Sequence, residues 1–122
     1  MNPGDGTVTV LDSKSGIVKT IPVGLGYEHS CPYCIGVDSR DNKIYVANGA
    51  SSTVSVIDGK SDTVKKDTPV GNWPTFILVT RYPSGFESCC KVYVANTYGD
   101  TVSLIDSNND TVKNTIRVEI GR

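Results

Sequence analysis

Thr53-Val54-Ser55-Val56-Ile57-Asp58 occurs three times in this chain with only small changes. It stands earlier as Thr7-Val8-Thr9-Val10-Leu11-Asp12 and later as Thr101-Val102-Ser103-Leu104-Ile105-Asp106, at offsets of 46 and 48 residues. A second stretch, Lys43-Ile44-Tyr45-Val46-Ala47-Asn48, returns 48 residues on as Lys91-Val92-Tyr93-Val94-Ala95-Asn96. Self-similarity at such a period marks an array of one supersecondary unit rather than a single irregular domain.

Each unit reads as four short strands. In the middle unit they are Cys34 to Asp38, Lys43 to Asn48, Thr53 to Asp58 and Thr63 to Val70. The second and third broadly alternate apolar with small or polar residues, as half-buried strands do. The connectors Asp38-Ser39-Arg40-Asp41-Asn42, Asn48-Gly49-Ala50-Ser51-Ser52 and Asp58-Gly59-Lys60-Ser61-Asp62 carry turn chemistry. Asx and Gly tolerate left-handed backbone, and Asx side chains bond nearby amides. No window has helical periodicity. The expected fold is all-β, built of β-propeller blades of four antiparallel strands. A β-sandwich also uses short strands and frequent turns, but it does not explain strands recurring in matched sets of four.

These residues resemble the YVTN family of β-propeller repeats, found in surface-layer-type and other secreted proteins of archaea and bacteria. The resemblance rests on Tyr45-Val46-Ala47-Asn48 and Tyr93-Val94-Ala95-Asn96, and on the three Thr-Val-Ser-Val-Ile-Asp-like stretches. Thr20-Ile21-Pro22-Val23-Gly24, Thr68-Pro69-Val70-Gly71 and Asn109-Asp110-Thr111-Val112 fit as well. It implies a fold and is uninformative about activity, because these are blade-building residues. Two places depart from it. The link from Leu25 to Tyr33 is longer than the short link at Asn72-Trp73-Pro74-Thr75. Between Thr80 and Lys91 a ten-residue stretch, 81–90, replaces a short turn. Insertions in repeat proteins map to loops and often carry binding.

Asn2 aligns with Asn48, so the chain is expected to start at the end of a second strand. The expected division is a half blade at 1–24 (strands three and four), a complete blade at 25–71 and a complete blade with its inserted loop at 72–122. Ten strands make two and a half blades, whereas a closed propeller takes about four to eight. The terminal blades would each leave an apolar face uncovered, and the half blade an open inner strand edge. Such features drive association. The faces would be covered by the missing blades of a parent protein, by copies of the chain, or by a different partner.

Composition narrows the partners. The 122 residues carry 12 basic and 13 acidic side chains, a net charge of −1, with no basic stripe. Nucleic acid is therefore not expected as a partner. No apolar run approaches a transmembrane length; the longest is Phe76-Ile77-Leu78-Val79, suited to an innermost strand. Met1-Asn2-Pro3-Gly4 is not a signal peptide, so for a secreted parent the signal is expected upstream.

The sharpest local constellation is His29-Ser30-Cys31-Pro32-Tyr33-Cys34. Its cysteines suit a disulfide stapling the long link, with free thiols or a His29/Cys31/Cys34 metal site as alternatives. A redox role of the Cys-x-x-Cys type lacks the helix that would lower the thiol pKa. Cys89 and Cys90 lie at the opposite end of a blade, too far for a shared four-cysteine site or a cross-link to Cys31 or Cys34. Cys89 and Cys90 could form a vicinal disulfide, a strained and rare arrangement. They are expected instead to face opposite sides of the following strand, one of them a candidate for pairing with a partner chain. Tyr82 and Phe86 on the inserted loop are the better binding candidates, with Tyr27 and Trp73 on the links. Exposed aromatics stack on sugars or anchor partners, although Trp73 also suits packing beside Pro74.

Asp12, Asp58 and Asp106 recur after every third strand, which argues for turn-building carboxylates that accept backbone amides. Asn48 and Asn96 are read the same way. Asp106-Ser107-Asn108-Asn109-Asp110 superficially resembles a calcium loop but lacks its remaining ligands. No nucleophile–base pair can be assembled, and no cofactor is implied. The repeats predict a structural or protein-interaction module, not an enzyme by itself, and the YVTN resemblance implies an extracellular or cell-surface setting for it. Its partners would be itself, missing blades, or other surface proteins or glycans. The alternative is part of a quinoprotein- or lactonase-like propeller enzyme whose active site needs further blades.

Overall fold

A computed structural model describes residues 6–11, 15–16, 18–23, 32–81 and 90–118. Among them lie ten strands and no helix. Strands β1 (Thr7–Leu11) and β2 (Val18–Pro22) form a two-stranded antiparallel sheet. Strands β3 (Pro32–Asp38), β4 (Lys43–Asn48), β5 (Thr53–Asp58) and β6 (Thr63–Pro69) form the second sheet, in sequential order. Strands β7 (Pro74–Arg81), β8 (Cys90–Asn96), β9 (Thr101–Asp106) and β10 (Thr111–Arg117) form the third. This is the propeller-blade architecture the repeats predict. It is left open, because three sheets with a two-stranded first member do not close a ring. One boundary differs from expectation: β3 starts at Pro32 rather than Cys34. β7, Pro74–Arg81, contains the apolar run Phe76 to Val79.

The turns explain why so many polar residues sit between strands. Asn42, Ser52, Asp62, Asp100 and Asp110 all have φ between 52° and 58°. Asn and Asp enter this left-handed region more readily than most residues. The aspartates closing the third strands act as expected. Asp58 Oδ1 accepts the Lys60 N–H at 2.9 Å, and Asp106 Oδ1 accepts the Asn108 N–H at 2.9 Å. The Lys60 amide foremost holds the Asp58 carboxyl below its usual range. Asp12 lies outside the described residues. The asparagines behave differently from expectation. Asn48 Nδ2 donates to Thr53 Oγ1 (3.2 Å) and Ser55 Oγ (2.9 Å). Asn96 repeats this with Thr101 and Ser103 at 3.1 and 2.9 Å. A buried amide at the end of the second strand thereby ties down the third, instead of accepting turn amides.

The sheets stack face to face through two apolar layers. Tyr45, Ala47, Val54 and Val56 of the second sheet meet Ile77, Val92, Val94 and Ile105 of the third. On the other side, Val46 and Ile57 meet Val8 and Ile21 of the first sheet and Val23 just after β2. Strict alternation sends odd and even residues of β4 to opposite neighbours, so a central blade has no solvent face. Each fully buried Val, Ile or Tyr in these layers contributes about 1.5–3 kcal/mol. The sheets approach most closely at β3 and β7 and splay apart toward β6 and β10. β3 and β7 are therefore the inner strands, as the sequence implied. Gly36 permits that approach: a Cβ there would lie 2.5 Å from Ile77 Cγ2 and 3.1 Å from Val79 Cγ2.

A polar clasp joins the second sheet to the third. The Asp110 carboxylate, in the turn before β10, accepts Tyr45 OH at 3.0 Å and Lys43 Nζ at 3.2 Å. Lys65 Nζ stands at 3.7 Å. Thr68 Oγ1 donates to the Asp110 carbonyl at 2.6 Å. Burial first, and then the neighbouring Asp110 charge, push the Tyr45 phenol far above its ordinary value. At the preceding junction, Asp62 holds the place of Asp110 and meets Lys19 at 3.4 Å. The lysines follow the same valine in each repeat, as Val18-Lys19, Val64-Lys65 and Val112-Lys113.

Candidate functional site: an aromatic row and an uncovered blade face

Three aromatic rings from three separate segments line up at one end of the second and third sheets. Trp73 lies between Tyr33 and Tyr98, with ring centroids 6.0 and 5.7 Å away and planes tilted by 52° and 54°. Tyr33 comes from the start of β3, Trp73 from the link between sheets, and Tyr98 from the β8–β9 turn. Tyr33 is 46% exposed and Tyr98 55%, while Trp73 is half-buried between them. Gly49 lets the row settle: a Cβ there would come within 2.7 Å of Tyr33 Cε2 and 3.0 Å of Trp73 Nε1.

Trp73 has φ 56°, an unusual conformation for a bulky residue, costing about 1–2 kcal/mol. Two backbone bonds hold the link in place: Thr97 N–H to Trp73 O at 3.0 Å and Tyr98 N–H to Asn72 O at 3.2 Å. Tilted exposed rings of this kind present flat apolar surface with polar tips, suited to stacking on sugar rings or anchoring a protein partner.

The second feature is a sheet face on which, among the described residues, no neighbouring sheet packs. Phe76 and Leu78 of β7 are 55% and 49% exposed. Beside them Tyr93, Val102 and Leu104 are half-buried, whereas their repeat counterparts Tyr45, Val54 and Val56 are fully buried. The residues are the same or similar; the difference is the absence of a neighbouring sheet. β3 shows the same effect on the other side. Ile35 and Val37 are exposed, while Ile77 and Val79, at matching register positions in β7, pack against the second sheet. Among the described residues the first sheet has only its two outer strands, and none of them covers Ile35 and Val37.

Trp73 sits in the aromatic row. Tyr27, His29, Cys31, Tyr82, Phe86 and Cys89 lie outside the described residues. Cys34 carries a free thiol, so the Cys31–Cys34 staple is not formed. Cys34 stands inside β3, with its side chain partly buried against the apolar layer facing the third sheet. Cys90 is buried at the head of β8 and is not a free thiol. Among the described residues, no three His, Cys, Asp or Glu side chains gather in a metal-binding group. In the calcium-like run, the Asp110 carboxylate is taken up by Tyr45 and Lys43.

Sequence reasoning missed Tyr33 and Tyr98 as members of the row. Tyr33 was legible only as part of Cys-Pro-Tyr-Cys. The available signal for Tyr98 was that it replaces Ala50 of the preceding repeat at a turn tip.

Solved structures with the same fold come from functionally diverse proteins. Kuenenia stuttgartiensis hydrazine synthase matches with a TM-score of 0.76 at 24% identity, covering 98% of this chain and 32% of that one. Citrobacter koseri AztD matches with a TM-score of 0.69 at 15% identity over 96% of this chain and 31% of its own. The dihydro-heme d1 dehydrogenase NirN matches at 0.65 and 19% identity, over 93% of this chain and 24% of that one. The chain thus spans about a third or less of the proteins it resembles. At these identities the likeness establishes the fold. No protein-family model matches the sequence, and no curated protein does.

Proposed function

We propose that this chain is an interaction module of a larger β-propeller at or outside the cell surface, incomplete alone and completed by further blades. The observation that carries this reading is the uncovered face of the third sheet, where Tyr93, Val102 and Leu104 are half-exposed although their counterparts form a closed core. The solved structures with this fold support it, since each is about three or more times the length this chain covers. The surface location rests on the resemblance to YVTN repeats. The Tyr33–Trp73–Tyr98 row is the contact surface we assign to a protein or glycan partner.

A second reading has its own support. Two of the structural neighbours, hydrazine synthase and a dehydrogenase, are enzymes by name. Under that reading the blades frame a catalytic propeller, and the chemistry belongs to groups on other blades. The comparisons give no preference to a non-catalytic role.

The test is the mass of the chain in solution, by light scattering after size exclusion, with and without reductant. The module reading expects a monomer or polydisperse association through the open faces. A discrete, stoichiometric oligomer would overturn completion by other blades, and its loss on reduction would place cysteines at the contact. Turnover by this chain alone would sink the module reading in favour of the enzyme.

A further inference from the structure

The clasp around Asp110 is built from repeat positions, so its next copy can be read on the third sheet. Lys43, Tyr45 and Lys65 of the second sheet recur as Lys91, Tyr93 and Lys113 of the third. The first set grips a carboxylate delivered by the turn before the outermost strand of the following blade. The second set lies on or beside the uncovered face, with Tyr93 half-buried and Lys113 exposed. Resting on the reading of the chain as part of a larger ring, we infer that this face receives one further four-stranded blade. That blade carries an aspartate in its last turn, clasped by Tyr93 and Lys113.

The same comparison specifies the partner's inner strand. Gly36 of β3 makes room for Ile77 and Val79. At the matching register position β7 has Leu78, paired with Tyr93 as Gly36 is paired with Tyr45. The incoming blade must therefore offer less bulk opposite Leu78 than the third blade offers opposite Gly36. Two features define the partner: a carboxylate in its last turn and a small residue on its inner strand.

A second copy of this chain docking head to tail does not meet that description. Its leading sheet has Gly16, at φ 73°, where Asp62 and Asp110 stand in the other repeats. It would bring no carboxylate to the clasp. It also has only the outer two strands among the described residues, leaving Phe76 and Leu78 uncovered.

The test extends the full chain by one blade. A copy of residues 71–122 is joined after Val118, which reproduces the Val70-Gly71 junction, and Leu78→Gly is made in the original blade to admit the copy's Ile77. The extended chain is expected to melt about 5 °C or more above the unextended Leu78→Gly chain. Asp110→Asn made only in the appended copy should remove most of that gain. Retaining Leu78 should also reduce it. A gain that survives Asp110→Asn would overturn the clasp while leaving the ring reading intact. No gain in any version would overturn both.

Discussion

Replacing Asp110 by asparagine isolates the charge of the clasp. Asparagine tolerates the left-handed backbone at φ 58°, so the turn survives and only the carboxylate is lost. In the native protein Asp110 has a side chain 2% exposed and Lys43 one 11% exposed, 3.2 Å apart. Surface pairs are worth about 0–1 kcal/mol, whereas removing one member of a buried pair costs about 3–5 kcal/mol. Lys43 keeps its bond to the Ser107 carbonyl and some access to water. Asparagine also retains an acceptor for Tyr45. These reduce the expected loss to about 2–3 kcal/mol, or a melting temperature lower by roughly 8–12 °C.

Asp62→Asn is the internal control. Its partner Lys19 has a side chain 54% exposed, and the expected loss is below about 1 kcal/mol. Urea unfolding of the two variants against the parent reads the difference directly. Equal losses would refute the claim that burial between complete blades, rather than the repeat position itself, gives the clasp its strength.

Further outcomes follow from the same geometry. Gly36→Ala forces a Cβ against the stiff Ile77 Cγ2 at 2.5 Å and should cost about 1–3 kcal/mol in chemical unfolding; a neutral effect would contradict the close β3–β7 approach. Tyr45 ionises less readily folded than unfolded, so stability should be complete below about pH 10 and fall as pH rises beyond it. Tyr45→Phe should flatten that alkaline slope, and an unchanged slope would assign it to other groups. Asn48→Ala removes both hydroxyl bonds to β5 and should lose about 1–3 kcal/mol by thermal unfolding. A loss near zero would make the amide dispensable.

Much of the fold was legible because the repeats write it twice. β4 and β5 match the quoted stretches residue for residue, since alternation and Asx-rich turns mark both ends. The start of β3 is not legible, because the register irregularity between Pro32 and Cys34 is a pairing property with no local signature. The aromatic row was illegible beyond Trp73, because residues 33, 73 and 98 meet only when the link and two blades are assembled. In the sequence Asp110 stands within a calcium-like run of neighbours. Its role is set instead by Lys43 and Tyr45, more than sixty residues away in sequence.

Among the described residues the third sheet presents a blade face that no other sheet covers. Hydroxyl-radical footprinting of the chain, at a dilution where light scattering gives a monomer, reads that face residue by residue. Phe76, Leu78 and Tyr93 should oxidise readily, with Tyr45 protected. Protection of Phe76, Leu78 and Tyr93 equal to that of Tyr45 would contradict it.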